Sequence, residues 1–112
     1  MQPYVIIFYQ GVQPLTEADL KDRAAATRVW AATQNTAGHN LEPRILGPER
    51  QWCQPDGSVG PTPLAENSLA TALLFLQAND ITQAVAVARA HPALRYGASV
   101  EVRPWAPPVP QG

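Results

Sequence analysis

Apolar and polar positions change period several times along this chain, and each change marks an element. From Tyr4 to Tyr9 every residue is β-branched, aliphatic or aromatic, apolar on both faces, which predicts a central strand. Gly11 and Pro14 close it. Thr16 then stands where a helix N-cap belongs. Glu17 and Asp19 suit the positive end of the dipole, and Leu15 can staple against Leu20. Leu20, Ala24, Thr27 and Ala31 recur at helical spacing with Trp30 on their flank. They form a face small enough to lie close on a sheet. Gly38 ends the helical region.

Prolines interrupt the next stretch. Short edge strands are predicted around 44–46 and 50–53, with Asp56-Gly57 as a hairpin turn and 59–66 as a loop or irregular edge. The run from Leu69 to Leu76 has a helical composition. An unbroken helix through to 90 would, however, bury Asn79 and Asp80 inside it, where they serve better as a cap. Residues 69–77 are therefore read as a strand. Asp80 with Gln83 makes a capping-box pattern, and Ile81, Ala84, Val85 and Ala88 supply one apolar helical face. Pro92 cannot extend that helix, so it ends near His91. Gly97 provides a turn with positive φ. From 98 to 103 the period is two: Ala98, Val100 and Val102 share one face, and Ser99, Glu101 and Arg103 the other.

The order is strand, helix, two short strands, strand, helix, strand. It predicts an α+β fold of ferredoxin-like type, an antiparallel sheet with two helices on one face. Residues 1–105 form one domain, and 106–112 a Pro-rich extended tail. Helices on one side leave the other sheet face bare and apolar, so a homodimer is expected.

Four stretches carry a family resemblance. These are the opening YVIIFY, AGHNLEP after the first helix, DITQAVAVARAHP in the second, and the closing G-x-x-VEVRPW. Together they resemble the YCII-related family, in its DGPF branch. That resemblance implies a strand at 69–77 and two sheets packed face to face as a dimeric α+β barrel. The loop that names the branch aligns with 61–66. It matches at Pro63, Ala65 and Glu66 and departs at Pro61 and Thr62. Some relatives pair a histidine on the first helix with a loop aspartate as an acid/base dyad. Here that helix has no histidine.

Charge and composition narrow the functions. A net charge of −1 with 15% charged residues gives no basic footprint for nucleic acid. No apolar run is long enough to span a membrane, and a lone Cys53 suits a reducing, cytoplasmic setting. No histidine or cysteine stands at metal-ligand spacing, and Gly57 and Gly60 are turn glycines with no helix behind them. No metal or cofactor is therefore expected.

The candidate catalytic residues are His39, in a loop and of a type suited to proton transfer, and Glu66, a loop carboxylate. Arg103 is the candidate anchor for an acidic ligand, with an ion pair to Glu101 as its structural alternative. His91 is explained by structure alone, as an imidazolium favoured at a helix C-terminus. Two functions fit these residues. One is cofactor-free acid/base chemistry on a small organic molecule in the inter-subunit cleft. The other is a non-catalytic small-molecule-binding or assembly module that has lost the family's His/Asp site.

Overall fold

The central strand is β1, Gln2–Tyr9, and it pairs antiparallel on both sides. The computed structural model describes residues 1–62 and 69–109 of the chain. Beside β1 lie β5 (Ala70–Ala78) and β6 (Ser99–Pro104), and β2 (Glu42–Ile45) is added outside β5. The four-stranded order β2-β5-β1-β6 is the split βαβ arrangement, compatible with a ferredoxin-like fold. Two helices, α1 (Glu17–Thr36) and α2 (Ile81–Arg89), complete an α+β domain. No helix among the described residues is long and apolar enough to cross a membrane.

Strand alternation sets the core. Tyr4, Ile6 and Phe8 lie opposite Leu76, Leu74 and Ala72 in register, and Val100 and Val102 continue the same face on β6. Trp30 of α1, Ala84, Val87 and Ala88 of α2, and Ala93 close over this face. Ile6 and Leu76 are the largest fully buried side chains. The strand read at 69–77 is present as β5, and the cap that argued for it is built. Asp80 accepts the Gln83 N–H at 2.8 Å, while Gln83 Oε1 reaches back one residue further than expected, to the Asn79 N–H at 2.7 Å. Thr16 also caps α1, in a reciprocal box with Asp19.

Two local expectations need correction and one is sharpened. Of the loop or irregular edge expected at 59–66, the first two residues form a short strand. Trp52–Cys53 (β3) and Val59–Gly60 (β4) pair as a separate hairpin across the Asp56-Gly57 turn. Ser58 donates twice to Asp56 Oδ1, and those bonds hold the Asp56 carboxyl below its usual range. The chain after α2 does not run straight to a turn: a 3₁₀ segment, Pro92–Tyr96, intervenes before Gly97 at φ 93. Finally, the predicted face of α1 does not lie close on the sheet. Leu20 is 45% exposed and Trp30 alone among the α1 residues is buried.

The opposite sheet face carries Val5, Ile7, Tyr9, Leu73, Phe75, Glu101 and Arg103. Trp105 leans onto it, its ring 5.5 Å from that of Phe75; Val5 is buried there, and Ile7, Leu73 and Phe75 are half-buried. The shortest molecular axis is 19 Å, room for two layers at about 10 Å spacing and no third.

Candidate functional site

Trp30 ties α1 to the core beside the site. Its indole is wedged where α1 meets the 3₁₀ segment, with Nε1 donating to the Val87 carbonyl at 3.3 Å. It is the one α1 side chain buried in the core that the sheet residues form. The small residues Ala24, Thr27 and Ala31, spaced for close packing, instead line an open cleft of about 870 Å³. The sheet supplies the floor with Phe8, Ala72 and Leu74, and His91, Ala93 and Tyr96 form one wall.

His91 is the polar centre of that wall. It is the N-cap of the 3₁₀ segment, and its Nδ1 accepts the Ala93 N–H at 3.0 Å. An accepting Nδ1 carries no proton, so in the neutral ring the proton sits on Nε2. No buried side-chain nitrogen among the described residues lacks a partner, and Nε2 has none, so it reaches the accessible surface. The ring lies edge-on between Phe8 at 4.7 Å and Trp30 at 4.5 Å. Burial among these rings, aided by the Arg23 guanidinium, lowers its pKa to about 4. The imidazolium expected from the helix dipole is therefore not what forms. At neutral pH His91 is an uncharged hydrogen-bond donor, because desolvation outweighs the dipole.

Of the residues nominated from sequence, His39 lies elsewhere. It is buried, not loop-exposed, and its Nδ1 is 2.7 Å from the Gln77 carbonyl oxygen. A carbonyl only accepts, so this ring holds its proton on Nδ1 and leaves Nε2 as an acceptor. Its backbone also receives the Gln77 N–H at 2.8 Å. His39 is thus stitched to the Gln77 end of β5 and lines neither the cleft nor, among the described residues, a hydrogen bond to any carboxylate.

Arg103 stands on the bare face, opposite Val5 in register. Glu101, two residues before it, takes the Tyr9 hydroxyl at 3.1 Å rather than forming an ion pair. Burial and that bond to a carboxylate raise the Tyr9 pKa. Because Gln77 pairs with Pro3 and Ala70 with Tyr9, His39 and Tyr9 sit near opposite ends of the sheet. About 20 Å of strand separates them at ~3.3 Å per residue. Glu66, with the Pro63-to-Glu66 loop match, lies outside the described residues.

Sequence reading passed over His91 and Arg23. Arg23, Thr27 and Trp30 follow i, i+4, i+7 spacing, a signal that they share one helix face. A histidine directly before a proline that starts a new turn was the signal for His91. No group of three or more histidine, cysteine, aspartate or glutamate side chains able to hold a metal comes together among the described residues. Compared with known proteins, the chain matches no protein-family model and no curated sequence.

Proposed function

We propose that the protein is a homodimeric small-molecule-binding domain. Two copies apply their bare sheet faces to each other, and each α1–sheet cleft holds a small organic ligand. The cleft carries this reading. It has the size and largely apolar lining of a ligand site, and one neutral imidazole with a free Nε2–H stands in its wall. His91 cannot act as a base from that tautomer, since its acceptor nitrogen is already engaged; it orients rather than reacts. The half-buried apolar side chains Ile7, Leu73 and Phe75 on the face away from the helices support the dimer, as does the resemblance to the YCII-related family with its face-to-face sheets.

One observation favours acid/base chemistry between the subunits as a second reading. Tyr9, Glu101 and Arg103 form a polar group on the same bare face, and the Tyr9 hydroxyl stays protonated at neutral pH. A second sheet laid over them would enclose that group, with Arg103 to hold an acidic ligand and Glu66 as the nominated base. His39, at the other end of the strand, would belong to a different part of the interface.

Two measurements on the ¹⁵N-labelled protein test both readings. Sedimentation equilibrium should give a dimer that Ile7→Lys converts to monomer, since a lysine there would bury a charge in the apolar interface. A fragment library should shift amides of α1 and the 3₁₀ segment. Shifts confined to Tyr9, Glu101 and Arg103 would favour the inter-subunit site, and a monomeric wild type would end the dimer.

A further inference from the structure

Electrostatics of the cleft lining point to the class of molecule it takes. Among the described residues no aspartate or glutamate lines it, and the permanently charged side chains there are Arg23 and Arg28, both on α1. Neither makes an ion pair among the described residues, although the chain carries nine carboxylate side chains. Arg23 is half-buried, so part of its hydration is already lost without a compensating anion. It also lies close enough to His91 to act on it electrostatically.

Of the other polar groups in the lining, the Tyr96 hydroxyl and the Gln10 and Gln13 amides can donate or accept, and none of them carries a charge. The Thr27 hydroxyl is committed to the Arg23 carbonyl at 2.7 Å, and His91 offers its Nε2–H. The Arg23 guanidinium and the His91 Nε2–H are both donors, and among the described residues no carboxylate joins them in the lining. The floor and walls around them, Phe8, Trp30, Leu74 and Ala93, are apolar.

We infer that the cleft is built for an organic monocarboxylate with an aromatic or aliphatic body, its carboxylate held by Arg23 and His91 and its apolar part against Phe8 and Leu74. This rests on the cleft being the ligand site, as proposed above, and adds the charge and shape of what enters. A carboxylate accepts from both donors at once, whereas a neutral amide of the same shape offers one acceptor and no charge. A cation would meet Arg23 as a like charge.

The test uses an isosteric pair, 2-naphthoate and 2-naphthamide, titrated into the ¹⁵N-labelled protein at low salt. The inference expects both to shift cleft amides such as those of Ala24 and Ala93. The acid should bind about tenfold or more tighter, the scale of hydrogen bonds to a charged group. Arg23→Gln should weaken naphthoate by a similar factor and leave naphthamide unchanged, with Arg28→Gln having the smaller effect because that side chain is exposed. Added salt should weaken the acid alone. Equal affinity of acid and amide at the cleft overturns the ligand class while leaving the cleft as a site. Absence of cleft shifts with either probe and with the fragment library overturns both. Should Arg23→Gln fail to fold, the acid-to-amide ratio in the unaltered protein still decides.

Discussion

Acid should destabilise this protein through one ring. His91 is folded against Phe8 and Trp30, and it takes its proton only near pH 4, whereas in the unfolded chain it does so near 6.5. Below 6.5 the unfolded chain therefore binds more protons than the folded one. Its contribution to stability is complete above 6.5 and is lost as the pH falls toward 4. Within that window each pH unit removes at most about 1.4 kcal/mol. Water still reaches part of the ring, which screens the penalty, so a total loss of roughly 1–2 kcal/mol is the realistic scale.

The matched control is His91→Asn. Asparagine can still cap the 3₁₀ segment through its side-chain oxygen but has nothing to titrate. Urea unfolding followed by tryptophan fluorescence, at about pH 7 and about pH 4.5 and at one protein concentration, measures both proteins. All other ionisable groups are common to both proteins, so only the difference between the two pH dependences belongs to His91. The wild type should lose roughly 1–2 kcal/mol more than the variant over this interval. Equal losses would refute the claim that the ring is folded in its neutral form. A smaller effect should survive in Arg23→Gln, because burial is the larger cause and Arg23 the lesser.

Backbone and cap predictions follow from closer geometry. Gly11→Ala should strongly destabilise the fold, since a Cβ there would run into the Gly97 carbonyl, with its carbon at only 2.7 Å. Both atoms belong to backbone that cannot swing aside, and a thermal melt within a degree of wild type would contradict this. Asp80→Ala should cost about 1 kcal/mol by freeing the Gln83 N–H, readable as a shift in urea midpoint with unchanged slope. Leu76→Ala should cost about 2–5 kcal/mol, because Leu76 is fully buried against its neighbours and leaves a cavity.

Much of this architecture was written locally. The period-two alternation of β6, the all-apolar β1 and the caps at Thr16 and Asp80 each depend on residues within one turn or one strand. The strand read at 69–77, and found at Ala70–Ala78, is preferred to a helix partly for the value of Asp80 as a cap and partly for the family resemblance. Turn residues Asp56-Gly57 and Gly97 were legible for the same reason: a positive φ or a side chain bonding two residues on is a property of a few neighbours.

What the tertiary structure alone decided is the chemistry. His91 has an ordinary histidine's sequence context at a helix end. Its neutral state follows from Phe8 and Trp30, which lie far away in the chain and remove the water an imidazolium needs. The tautomer of His39 is set by the carbonyl of Gln77 across a sheet edge. The cleft lies between α1 and the sheet, and no periodicity encodes the distance between those elements. Desolvation and reach between elements are long-range quantities, so the strands and caps could be read from the chain while the protonation states and the space between α1 and the sheet had to be seen.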